Sequence, residues 1–258
     1  MKKTLPLILL FLNGLAFGQD LTEIQMKLNV LQEKRFYWSK DQNHASYDSL
    51  NKYNTQLQHF IVDFSAKNAK TLRYPFESKN GGFDIVSSQD GNFRIYNWNE
   101  FGGGTMQFYR NVFQFASHQK VNSKYNEIEA QNNGCRYYEI NEVVSAGKKY
   151  YLTSSISIGS SANFYYQIKV FSIENGKLNE NAKLIKTKTG LKNTLGYEVD
   201  LSSASNRERT DGIESRDYIA MKYDKATNTI IIPLINANGK ITKNKIKYKF
   251  NGTYFEKI

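Results

Sequence analysis

The apolar positions along the chain change period once. From Asp20 to about Lys70 they recur every three or four residues: Ile24, Leu28 and Leu31 share one face, and Leu50, Tyr53, Leu57, Phe60, Ile61 and Phe64 form a second, longer stripe. That is the period of two helices. Asp20 and Glu23 have the spacing of a capping box, Ser46 is placed to cap the second helix, and Pro75 bars helix beyond the loop that follows. From Phe83 onward the pattern becomes short aromatic and β-branched runs separated by turn residues. The turns include Asp90-Gly91, Ala146-Gly147-Lys148, Asn175-Gly176, Asn238-Gly239 and Asn251-Gly252, the kinds that close hairpins. The expected fold is mainly β, built of antiparallel hairpin units and preceded by an N-terminal helical segment. The order of residue types in Phe93–Trp98 returns in Ile168–Ile173, and that of Asn175–Leu178 returns in Asn238–Ile241. The two offsets differ, so no single repeat length holds, and a propeller-like array, a meandering sheet and a sandwich all remain open.

The N-terminus changes what is left to fold. A basic start at Met1-Lys2-Lys3, an apolar run from Leu5 to Leu12 broken by Pro6, and the small residues Ala16 and Gly18 have the layout of a secretory signal peptide over residues 1–18. The run is far shorter than the roughly 20 apolar residues of a membrane span, and no Cys stands at the cut. The expected product starts near Gln19 and is a periplasmic or secreted protein with no membrane span. It divides into a helical segment over 19–75 and an all-β domain over 76–258. One cysteine, Cys135, permits no internal disulfide, so stability must come from packing, and the thiol is expected to be inert.

Composition adds a sign. The chain carries a net charge of +11, and removing residues 1–18 takes away Lys2 and Lys3 and no acid, leaving +9. Such an excess favours anionic surfaces through an attraction that salt weakens. Its densest stretch, Lys243-Asn244-Lys245-Ile246-Lys247-Tyr248-Lys249-Phe250, puts lysine at every second position. A strand sends these to one face and Ile246, Tyr248 and Phe250 to the other. Such a face is either a solvated edge guard or a ligand-binding ridge. No recognition motif accompanies the lysines, and no nucleic-acid partner is expected.

The stretch Ser87–Thr105 combines an Asp-Gly turn, a Trp and three consecutive glycines. The turn departs from an Asp box, whose Asp and Gly are separated by one residue, and it offers too few oxygen ligands for calcium. A hairpin explains it with less. Trp98 and Tyr96 fall on one face of the strand and are candidate binding residues if exposed. The glycines after Trp98 favour the reading in which it anchors the hairpin core.

Several of these segments together carry a resemblance. Thr71-Leu72-x-Tyr74-Pro75-Phe76, the run from Ser87 through Trp98, Gly103-Gly104-Thr105-Met106, and the closing segments Tyr223–Leu234 and Lys247–Phe255 are similar to an uncharacterised family of secreted flavobacterial proteins. The resemblance implies export and one integrated domain and brings no activity. Asn99 departs from it, standing where an acidic residue is more usual.

Catalytic signatures are missing from the sequence. His44, His59 and His118 form no zinc-binding spacing, and no Gly-x-Ser-x-Gly elbow is present. No metal and no cofactor is expected. Two carboxylates distant in sequence could still serve a hydrolase of polysaccharide or peptide, with Asp84, Asp90, Glu139, Glu142, Asp200 and Asp217 as candidates. The reading carried forward is a non-catalytic envelope protein that binds a protein, a glycan or an anionic surface polymer. Its candidate binding residues are Trp98, Tyr96, Lys243, Lys245, Lys247 and Lys249, and its oligomeric state is left open.

Overall fold

A computed structural model describes residues 20–40, 43–78, 82–117, 120–126, 134–202, 219–235 and 241–258. The signal-peptide reading, His118, Asp217 and the Asn238-Gly239 turn lie outside these residues. The chain opens with two helices, α1 (Leu21–Trp38) and α2 (His44–Lys67). Asp20 caps α1, its carboxylate accepting from the Thr22 N–H at 3.2 Å. The cap of α2 is Asn43 rather than Ser46. The Asn43 carboxamide oxygen accepts from both the backbone N–H and the hydroxyl of Ser46, each at 2.9 Å, which places Ser46 inside the first turn.

The rest is mainly β, in antiparallel sheets with one parallel pairing, and no sheet closes on itself. The first sheet is a meander of β1 (Phe83–Ser87), β2 (Phe93–Asn99), β3 (Tyr109–Ser117) and β4 (Lys120–Tyr125). The second is built from β5 (Arg136–Ser145), β6 (Lys148–Ile158) and β7 (Asn163–Glu174), with the short β8 (Lys177–Asn179) pairing to β7. The chain then leaves to form β9 (Ile185–Thr187) and β10 (Gly190–Lys192), and returns as β11 (Thr194–Asp200) on the other edge of β7. The third sheet adds β12 (Lys222–Asp224), β13 (Thr229–Ile235), β14 (Ile241–Phe250) and β15 (Phe255–Lys257), in the order β10-β9-β15-β14-β13-β12. Turn chemistry sets the tight hairpins. Asn175 and Gly176 both take positive φ, 50° and 76°, as a two-residue turn between β7 and β8 requires.

Three apolar clusters show how these pieces stack. Ile24, Leu28, Leu57, Ile61 and Phe64 of the helices meet Phe83, Tyr96, Trp98 and Val112 of the first sheet. The opposite face of that sheet sends Phe93, Ile95, Phe113 and Phe115 against Tyr137, Ile140, Tyr151 and Phe171 of the second. The far face of the second sheet, with Leu152, Ile168 and Val170, packs on Ile185, Ile230, Ile232 and Phe255 of the third. The protein is thus a stack of helices and three sheets. The first sheet, under the helices, and the second, between the other two, are covered on both faces, so β2 is buried along nearly its whole length rather than at alternate positions. No helix among the described residues is long and apolar enough to cross a membrane.

Candidate functional site

The structure separates the candidate residues into three places. The first is the opening hairpin. Trp98 and Tyr96 are both 0 % exposed, sealed between the first sheet and the helices, which takes them out of any surface binding site. The reason is the register: Trp98 pairs with Phe83 on one side and Arg110 on the other, on the face that α1 and α2 cover. The Tyr96 hydroxyl donates to Gln114 Oε1 at 2.9 Å, and Gln114 bonds the end of α2 through the Ser65 carbonyl. Burial first, against the pull of Arg94, pushes the Tyr96 phenol up to about 12. The three glycines turn the loop into β3. At Gly103 a side chain would strike the Met106 carbonyl oxygen.

The turn of the same hairpin is a clamp. The Asp90 carboxylate accepts from Ser88 Oγ (2.6 Å), Asn92 N (2.9 Å), Asn92 Nδ2 (3.1 Å), Lys149 Nζ (2.7 Å) and Tyr151 Oη (3.0 Å). Its backbone N–H donates to Glu142 Oε1 at 2.7 Å, and its carbonyl accepts from the Arg73 guanidinium. The turn therefore joins the helical segment to the second sheet. Burial alone would raise the Asp90 pKa, but the bonds from Lys149, Ser88 and Asn92 overcome it and hold the carboxyl well below its usual range. Of the described candidate carboxylates, Asp90 and Glu142 are the pair that meets, both at Lys149. An acid held ionised by five donors has no proton to give. Asp84 is engaged elsewhere, bidentate to Arg136 at 2.6 and 3.2 Å. Glu139 lies within reach of the Ser154 hydroxyl at 3.5 Å, and Asp200 caps a turn through the Ser202 N–H. His44 pairs with Asp48 on the surface of α2, and His59 is exposed on the same helix. Among the described residues no three His, Cys, Asp or Glu side chains gather as they would around a metal.

The second place is the outer face of the third sheet. Lys243, Lys245, Lys247 and Lys249 are all exposed, while Ile246, Tyr248 and Phe250 turn inward onto the core. Alternate residues of a strand stand about 7 Å apart, so Lys245, Lys247 and Lys249 form a regular row, while Lys243 lies in a register shift at its end. Register brings more lysines to that face. Lys222 lies two strands across from Lys247 through Ile231, and Lys186 lies two across from Lys249 through Glu256. None of the four row lysines makes an ion pair among the described residues, and Glu256 is already taken by the Asn251 carboxamide at 2.8 Å.

The third place was not singled out in the sequence. Where the first and second sheets splay apart, a cleft of about 310 Å³ opens between them. Strand pairing lays its floor: Tyr137, Ser155 and Gln167 stand in one row across β5, β6 and β7, and Ser157 with Tyr165 in the next. Tyr109 and Asn111 face them from β3. Cys135 also lines the cleft. The residue is half-buried but its thiol is enclosed, and burial raises its pKa despite bonds to Ser155 and Tyr137, which leaves it a poor nucleophile. The available signal was the buried run Thr153-Ser154-Ser155, followed by Ser157, set among the apolar residues of β6.

No family model, no curated protein and no solved structure matches the chain.

Proposed function

We propose that this is an exported, non-catalytic binding protein that engages an anionic surface polymer through the lysine face of the third sheet. The observation that carries the reading is the set Lys243, Lys245, Lys247 and Lys249, exposed and without ion pairs among the described residues, widened by Lys222 and Lys186 on neighbouring strands. A flat array of solvated ammonium groups attracts a charged chain along its length and asks for little shape complementarity. Asp90, held ionised by its five donors, has no proton to give a leaving group and so does not favour a hydrolase.

The test is retention of the protein on immobilised polygalacturonate at increasing salt. Binding that weakens steeply with salt, and that drops at least tenfold, about 1.4 kcal/mol, when all four row lysines become Gln, supports the reading. A quadruple variant retained like the parent rejects it.

A further inference from the structure

The cleft between the first and second sheets is polar where the rest of the same interface is apolar. A few residues along β6 and β7, the two sheets are sealed by Phe93, Phe113, Tyr151 and Phe171. At the open end the same strands present hydroxyls and amides instead. Polar groups sealed between sheets must find protein partners, whereas those at the open end are free to meet water or a ligand. Some meet protein: the Ser157 hydroxyl donates to the Gly134 carbonyl at 2.9 Å, and Asn111 Nδ2 to Asn97 Oδ1 and the Cys135 carbonyl at 3.1 and 2.9 Å. The side-chain amides of the half-buried Gln167 and Asn126 and the hydroxyl of the exposed Tyr165 have no protein hydrogen-bond partner among the described residues and stand open to a ligand. Tyr165 is held over Gly196, where a Cβ would collide with its hydroxyl, so its ring is fixed at the rim. Gly196 keeps that position open.

Charge narrows the ligand. Among the described lining residues Lys169 carries the one formal charge. Its carboxylate partner, Glu180, lies 2.8 Å away and is shared with Lys124 at 2.5 Å. Two ammonium groups and one carboxylate leave a net positive charge beside the cleft. The volume falls at the small end of the roughly 300 to 1,000 Å³ typical of ligand sites.

We infer that this cleft binds a sugar acid: a single pyranose ring whose hydroxyls meet the half-buried Gln167 and Asn126, whose face lies on Tyr165, and whose carboxylate is drawn to Lys169. The site is on the far side of the second sheet from the lysine face and does not depend on it. The experiment is an amide chemical-shift titration of the full chain with glucuronate and galacturonate, with glucose and galactose as neutral arms. The expected result is saturable shifts around Ser155 and Gln167, with a uronate bound about fivefold or more tighter than the matching hexose. Tyr165→Ala and Gln167→Ala should each weaken uronate binding several-fold. Lys169→Gln, which leaves Glu180 its partner Lys124, should remove the preference for the acid. No saturable shift with either uronate, equal binding of uronate and hexose, or shifts that ignore Tyr165→Ala and Lys169→Gln would each overturn the assignment.

Discussion

The first and third sheets are the outer sheets of the stack, and each has one face turned away from the other sheets. On the first sheet that face lies under the helices, and its cations are arginines. Arg94 and Arg110 are no more than 9 % exposed, and Arg35 of α1, at 1 %, reaches down to the same face. On the third sheet the face is open, and its cations are lysines. The partners differ accordingly. Arg94 donates to Ser87 Oγ and the Tyr74 carbonyl, each at 2.7 Å, and to the Thr71 carbonyl. Arg110 pairs with Glu100 at 2.5 Å and reaches Asn51, Thr55 and Gln58 of α2. Arg35 donates to Asn54 at 2.7 Å and to the Asn99 carbonyl, and burial, partly offset by Glu100, lowers its pKa to about 9. A guanidinium has five donors in a fixed fork and is weakly hydrated, so it can be enclosed if carbonyls and amides surround it. An ammonium keeps its water. The same charge serves as cement on one sheet and as free surface on the other, and the covering helices decide which.

The sharpest way to break this contrast is to lift the helical cover. Leu57 is 0 % exposed at the centre of the α2 stripe. Leu57→Asp should cost about 4 kcal/mol or more by burying a charge without a partner. Trp98→Ala, beneath it, should cost about 3 to 5 kcal/mol. Thermal melts read both, and an unchanged melting temperature for either would mean the helices do not seal the sheet. Trp98 also offers a gentler check in a Trp38→Phe background, where its emission should be short in wavelength and resistant to acrylamide.

Next in size is the buried pair itself. Arg110→Ala leaves the Glu100 carboxylate, whose side chain is 19 % exposed, without its partner. The expected loss is about 3 kcal/mol in chemical denaturation. Arg110→Met combined with Glu100→Gln should recover much of it, because the cost lies in the orphaned charge more than in the missing bond.

Acid probes the clamp that ties the helical segment to the second sheet. The Asp90 pKa is lowered in the fold from an ordinary 3.8, and Glu174, held by Asn179, Lys148 and Ser172, is lowered from 4.5 to about 2. A carboxyl with a depressed folded pKa stabilises the fold above its unfolded pKa, and that stability is lost as pH falls toward the folded value. The melting temperature should therefore drop as pH falls from about 4.5. Asp90→Asn should lower stability near neutral pH by about 1 to 2 kcal/mol and flatten that acid slope. An unchanged slope would show that the clamp contributes nothing.

How much of this was legible depends on how local each feature is. The helical stripe, the β body, the inward-facing Ile246, Tyr248 and Phe250, and the turns at Ala146-Gly147 and Asn175-Gly176 are set by neighbours a few residues away, and periodicity reads them. The α2 cap shifted from Ser46 to Asn43 because two capping residues compete within one turn and the carboxamide reaches the free N–H groups better. The Asp90 clamp was invisible because Glu142, Lys149 and Tyr151 lie more than fifty residues on. The cleft was hidden for the same reason. Tyr137, Ser155 and Gln167 each look like an ordinary polar position, and only strand register sets them side by side.

The smallest expected effect completes the comparison from the other side. If the third sheet's lysines are free surface, reversing two of them should hardly move stability. Lys245 and Lys247 are exposed and pair in register with Pro233 and Ile231, neither of which offers a charge. Lys245→Glu with Lys247→Glu should stay within about 0.5 kcal/mol of the parent in denaturant titration. Relief of like-charge repulsion along the row favours the fold slightly. A loss of 2 kcal/mol or more, on the scale of about 3 expected for Arg110, would mean the row is held by contacts of its own. It would then be structural cement like the arginines under the helices. Little change in stability together with lost retention on polygalacturonate would separate binding from folding at this face, which no variant of Arg94 or Arg110 can do.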